Sequence, residues 1–225
     1  MKPFITLAES KTPDGSDLSL HGHDGQFYLR VNRQPLMGTN ASESEKTMAT
    51  LACEPLRNEP QARVLIGGLG FGFTLRRVLE SVRPDAHVHV AELLPQVVDW
   101  NREFLRDVNG ALLDDPRVQV FVDDVYEVMT RAAAAPYDAI LLDVDNGPIA
   151  MVHEGNGRLY QSQGFAVIMN ALKPKGRVVF WSAAKDAAFA RRLEKTGFAV
   201  QVVAAKAYPQ AKRSTHTLFV ADRKS

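Results

Sequence analysis

Four glycines fall within the six positions Gly67 to Gly72, in the stretch RVLIGGLGFGFTLRRVLE, and they constrain this chain more than any other feature. An apolar run precedes them and an amphipathic pattern follows, so the loop joins a buried strand to a helix. Glycine is costly inside a domain unless the backbone needs positive φ or must let something approach closely. The spacing narrows what approaches. A dinucleotide fingerprint, G-x-G-x-x-G, counted from Gly68 needs its third glycine at position 73, which is Phe73. A phosphate-cradling loop needs Gly-Lys-Ser/Thr, whereas Gly72 is followed by Phe73 and Thr74 and the loop holds no Lys or Arg. The observed G-x-G-x-G favours a nucleoside without phosphate, and it disfavours an NAD-dependent dehydrogenase.

The chain around the loop alternates. Strands are expected at 64–66, 87–91, 118–122, 139–142 and 178–181, and helices at 74–83, 95–105, 125–134, 160–172 and 187–196. Such an order gives an α/β fold, a doubly wound Rossmann-like parallel sheet with helices on both faces. Two last strands, 199–204 and 217–221, add an antiparallel edge. Upstream, LSLHGHDGQFYLRVNRQPLMGTN alternates apolar and polar residues between turns and predicts one or two β-hairpins, while residues 1–16 read as turn-rich. Ser42 and Glu45 have capping-box spacing and predict a helix reaching about Cys53. The expected division is a small N-terminal hairpin region with its helix, 1–55, and a nucleoside-binding catalytic domain, 56–225.

Bulk properties exclude several classes. The net charge of +1 and short basic patches argue against nucleic acid or an anionic membrane as partner. No apolar run has the length of a membrane span. A lone cysteine, Cys53, forbids an internal disulfide, and together with the unexceptional N-terminus it points to a cytoplasmic protein. The six histidines lack metal-ligand spacing, so no metal is expected. His153 and His216 stand alone and read as solvated.

Ligands of doubly wound folds sit beyond the carboxyl ends of the strands, and acids gather there. Glu92 ends the second strand, where a carboxylate can accept from both ribose hydroxyls. Asp123 and Asp124 end the third, where an acid can accept from an adenine amino group, or one of the pair can cap the next helix. The fourth strand runs into Asp143, Asp145 and Asn146 before a Gly-Pro turn. These three polar residues are the catalytic candidates, able to hold a cationic amine or accept its proton.

The pieces VLIGGLGFG, VHVAELLPQVVDWNREF, VQVFVDDVYEVM, YDAILLDVDNGP and LYQSQGFAVIMNALKPKGRVVF, in this order, resemble the spermidine synthase (aminopropyltransferase) family of the class I S-adenosylmethionine (AdoMet)-dependent methyltransferase superfamily. The resemblance implies AdoMet or decarboxylated AdoMet as co-substrate and a homodimeric assembly. It implies that Gly67, Gly68 and Gly70 form the nucleoside loop, that Glu92 binds ribose, that Asp124 binds adenine, and that Asp143 lies beside the reacting group. Departures accompany it. The family's Gly-Gly-Gly-Asp-Gly-Gly loop is altered at Leu69, Gly70 and Phe71. Its second catalytic acid is Asn146, with Asp145 one residue early. Its Tyr-His pair after the hairpins is absent from SEKTMA.

With those acids missing, and with Phe71, Phe73 and Trp181 read either as crevice walls or as core, the expectation is a less charged small-molecule acceptor. An SN2 transferase moving a methyl group is favoured over one moving an aminopropyl group. The alternatives are a polyamine aminopropyltransferase proper, or a catalytically weak relative kept for binding or assembly.

Overall fold

The computed structural model describes residues 3–144 and 154–224. Ile5–Lys11 (β1), Asp17–His23 (β2), Gln26–Val31 (β3) and Gln34–Gly38 (β4) form an antiparallel sheet in that order. Its two tightest turns are two residues long, and all four turn residues take positive φ: Asp24 and Gly25, then Asn32 and Arg33. That mirror-image turn matches the twist of the flanking strands. β1 corrects the sequence expectation for residues 1–16. It carries exposed Ile5 and is held by its pairing with β2 rather than by burial, which weakens the apolar signal.

The remaining elements alternate as expected. They are Glu43–Cys53 (α1), Arg63–Gly67 (β5), Phe73–Ser81 (α2), His87–Glu92 (β6), Pro95–Glu103 (α3) and Arg106–Asn109 (α4). Val118–Val122 (β7), Val125–Arg131 (α5), Tyr137–Leu142 (β8), Ser162–Ala171 (α6), Leu172–Ser182 (β9), Ala187–Lys195 (α7), Phe198–Ala205 (β10) and His216–Arg223 (β11) complete them. Seven strands form one sheet in the order β10-β11-β9-β8-β5-β6-β7. The pairs among β9, β8, β5, β6 and β7 are parallel, while β11 runs antiparallel between β9 and β10.

Alternation within the buried strands splits the core between the two faces. Val64 and Ile66 of β5 point into a cluster that also holds Leu18, Leu20, Leu29, Met48 and Leu75. Leu65 points the other way, to Phe165, Phe180, Phe189 and Phe219. The first cluster is continuous from the small sheet through α1 to the large one. α1 packs on α2, β9 and β8, so the hairpin region stands over one face of the central sheet.

α6 ends at Ala171, one residue short of the expected bound, and β9 begins at once with Leu172, turning at Lys175 with positive φ. One local expectation changes. The capping box does not form. Ser42 makes no side-chain cap, and Glu45 takes a hydrogen bond from the Ser44 hydroxyl instead (2.6 Å).

Candidate active site

Beyond the carboxyl ends of β7, β6, β5, β8 and β9 lies a cavity of about 290 Å3, roofed by Leu29, Leu36 and Met37 of the small sheet. The strand order lays out its floor. Asp124 follows β7, Glu92 ends β6, Gly68 and Gly70 follow β5, Asp143 and Val144 follow β8, and Trp181 lies near the end of β9 beside His216.

The glycine loop is held from both sides. The Leu69 N–H donates to Glu92 Oε2 (2.8 Å) and the Leu94 N–H donates to Glu92 Oε1 (2.9 Å). The buried Asn101 and Asn109 amides donate to the carbonyls of Gly70 (2.8 Å) and Phe71 (3.2 Å). Sequence reasoning missed both asparagines, because their role depends on helices α3 and α4 folding back onto the loop.

Gly68 must be glycine twice over. It has φ +91°, and an added Cβ would sit 2.2 Å from the backbone oxygen of Asp143. Gly70, at φ +51°, would meet the Met37 side chain at 2.9 Å. Gly67 serves packing instead: a Cβ there would reach Val125 at 2.9 Å, and it does not line the cavity. Leu69 and Phe71, 4% exposed each, are core residues, and Phe73 packs on the same cluster. Of the three aromatics considered for the crevice, only Trp181 lines it.

The acids separate in the same way. Burial pushes the Glu92 carboxyl up, while loop N–H groups, first that of Leu69, oppose this. Glu92 lines the cavity, where its carboxylate can also accept hydroxyl donors. Asp124 caps α5 by accepting from the Tyr126 N–H (2.8 Å), and its other oxygen takes the Arg158 guanidinium (2.8 Å), which stacks 3.9 Å over the Tyr126 ring. Asp123 turns outward to pair with Arg131 and does not line the cavity. Asp145 and Asn146 lie outside the described residues.

Asp143 lines the cavity, and burial, followed by the Glu45 charge, pushes its carboxyl up to about 8 against a Thr74 hydrogen bond. Glu45 was read from the sequence only as a cap. It enters the cavity from the first turn of α1, and burial raises its carboxyl too. His216, read as solvated, packs against Trp181 with the rings tilted by 34° and their centroids 4.8 Å apart, and burial holds it below its usual range. The indole N–H of Trp181 is buried without a hydrogen-bond partner among the described residues.

Residues 45–210 match the family model of the spermine/spermidine synthase domain, which is most of the chain. The chain belongs to the spermine/spermidine synthase family. A polyamine aminopropyltransferase of Mycobacterium tuberculosis is 35% identical over 127 residues, covering 56% of this chain and 23% of that protein. Polyamine aminopropyltransferase 1 of Streptomyces coelicolor is 33% identical over 161 residues, covering 64% and 28%. This spermine/spermidine synthase-family chain therefore spans well under half the length of those relatives. Among solved structures, Thermotoga maritima spermidine synthase superposes with a TM-score of 0.75 at 18% identity, covering 97% of this chain and 72% of that one. A spermidine synthase bound to the transition-state analogue AdoDATO gives 0.74 at 17% identity, with the same coverage. These likenesses establish the fold, a class I methyltransferase-type sheet.

The comparisons overturn the expectation of methyl transfer, since the family and the curated relatives are aminopropyltransferases. The physical basis of that expectation also fails. It took the missing acids and the loop aromatics to mean a less charged acceptor, but Phe71 and Phe73 pack in the core and a carboxylate enters from α1.

Proposed function

We propose that this chain is an aminopropyltransferase that uses decarboxylated AdoMet as donor and an amine as acceptor. One observation carries this reading. Glu45, Glu92, Asp124 and Asp143 all line the cavity, and among the described residues no Lys or Arg side chain does. Asp124 is already balanced by Arg158, so Glu45, Glu92 and Asp143 are the enclosed carboxylates that favour a cationic ligand, and an enclosed ligand carboxylate would be left without a partner. Decarboxylated AdoMet carries a sulfonium and an ammonium and no carboxylate, so it suits these walls where AdoMet does not.

In this reading the Glu92 oxygens accept from the ribose hydroxyls, and Asp124 accepts from the adenine amino group. Bare backbone at Gly68 and Gly70 lets the thioether end pass. The acceptor's neutral nitrogen attacks the propyl carbon bonded to sulfur. The new N–C bond forms as the C–S bond breaks, and its electron pair leaves with sulfur as neutral methylthioadenosine. The proton released from the new secondary ammonium passes to Asp143, whose raised affinity for protons suits a base working near neutral pH. The protein contributes chiefly by alignment.

Calorimetry with both donors tests this. Decarboxylated AdoMet should bind at least tenfold more tightly than AdoMet, and 1,4-diaminobutane should then release methylthioadenosine. Equal affinity for the two donors, or no release with any amine, would refute the assignment.

A further inference from the structure

The order of strands places the nucleoside acids over β7 and β6 and the loop over β5. The cavity continues past them, over β8, β9 and β11, where Asp143, Trp181 and His216 stand. α1 begins above this same end: its Glu43 N–H donates to the carbonyl of Ala207, just after β10 (3.1 Å). The first turn of α1 therefore delivers Glu45 to the part of the cavity that the donor leaves open. Ser44, 2% exposed, orients that carboxylate with its hydroxyl, and Lys46 turns aside to pair with Glu43 (2.8 Å). Among the described residues Glu45 has no ion-pair partner.

Two tasks fall to carboxylates at this end. One must take the proton released by the attacking nitrogen, and one must balance an ammonium that does not react. A single group cannot perform both, because protonation removes the charge that holds the cation. Asn146 is not an acid, and Asp145 lies outside the described residues. Glu45 and Asp143 supply two.

Resting on the aminopropyltransferase reading, we propose that Glu45 holds the non-reacting ammonium of the acceptor and so selects diamines and polyamines over monoamines, leaving Asp143 for the proton. Trp181 and His216 then form the wall beside that ammonium. The buried, unpartnered indole N–H in that wall calls for an acceptor atom on a ligand rather than for the ammonium itself, since buried donors are otherwise satisfied. Burial favours a neutral His216 ring, which would not repel a cation.

The groups that set the pH response of this end come from every side of the cavity: Glu45 from α1, Glu92 from β6, Asp124 ahead of α5, Asp143 after β8 and His216 from β11. Because the Glu45 charge raises Asp143, removing it should move the ascending limb of the pH profile to lower pH.

The test compares wild type with Glu45→Gln and Glu45→Asp. Each is first saturated with methylthioadenosine and titrated calorimetrically with 1,4-diaminobutane and with 1-aminobutane. Glu45→Gln should lose at least tenfold in diamine affinity, bind the monoamine as wild type does, and keep its methylthioadenosine affinity. Glu45→Asp should recover part of the loss. With decarboxylated AdoMet, Glu45→Gln should raise the diamine KM far more than it lowers kcat and should shift the ascending limb downward. Unchanged diamine affinity in Glu45→Gln, or an equal loss for diamine, monoamine and nucleoside, would overturn the proposal. Turnover is read separately: a wild type that binds the diamine through Glu45 but transfers nothing would refute the aminopropyltransferase reading and leave the Glu45 site standing.

Discussion

The Leu69 amide donates to the Glu92 carboxylate at 2.8 Å across 23 residues of sequence, and this bond joins the glycine loop to the acid of the next strand. Glu92 is thus a structural anchor as well as a candidate ribose ligand. Removing it strands two buried amides, those of Leu69 and Leu94.

Glu92→Ala should therefore fail in two ways at once. Methylthioadenosine affinity should fall beyond calorimetric detection. Unfolding free energy should fall by about 1–3 kcal/mol from the unpaired amides, measured by urea titration. A variant that keeps nucleoside affinity while losing stability would remove Glu92 from ligand binding.

Gly68 and Gly70 should respond differently to alanine. Gly68→Ala drives a Cβ into the backbone oxygen of Asp143 at positive φ, so the chain should become insoluble or lose most of its thermal stability. Gly70→Ala also sits at positive φ but contacts only the flexible Met37 side chain, so it should fold at some loss of stability with weakened nucleoside binding, part of which returns in the double variant with Met37→Ala. Thermal melts and calorimetry on the three proteins decide it; equal behaviour of the two single variants would refute it.

Phe71→Ala should cost about 3–5 kcal/mol, the usual loss for a core aromatic, and leave the preference among amine acceptors unchanged. A shifted acceptor preference at intact stability would return Phe71 to the cavity wall.

Asp143→Asn should stabilise the fold, and more so as pH rises. The folded protein keeps a proton on Asp143 up to about 8, whereas an unfolded aspartate releases it near 3.8. Between those values the native state binds more protons than the unfolded state, so this residue makes wild-type stability fall with rising pH. The gap in melting temperature should widen from pH 4 to pH 8, reaching several degrees for an effect of a few kcal/mol. A constant gap would show that Asp143 titrates normally.

The parallel sheet was legible because its strands are apolar runs separated by amphipathic helices, and that periodicity survives in one sequence. Glu92, Asp124 and Asp143 were legible because strand ends are where such sheets gather polar residues. Glu45 was not, because the Ser-x-x-Glu spacing that signals a capping box is the same spacing that lets a first-turn acid face inward, and only the packing of α1 over β8 and β9 separates the two. Phe71 misled for a related reason: a glycine-rich loop suggests exposure, but Asn101 and Asn109 pull this one down onto the core. His216 was invisible as a wall residue until β11 inserted beside β9.

Met37 links the small sheet to the loop. Its terminal methyl would lie 2.9 Å from a Cβ at Gly70, so the hairpin strand β4 rests directly on the loop backbone that lines the cavity. Any ligand bound there draws part of its binding free energy from the folded hairpins. By linkage the hairpins gain that free energy back as protection against opening. Amide exchange in β3 and β4 should then slow on nucleoside addition, making the N-terminal sheet a reporter of occupancy at a site it does not itself supply with acids.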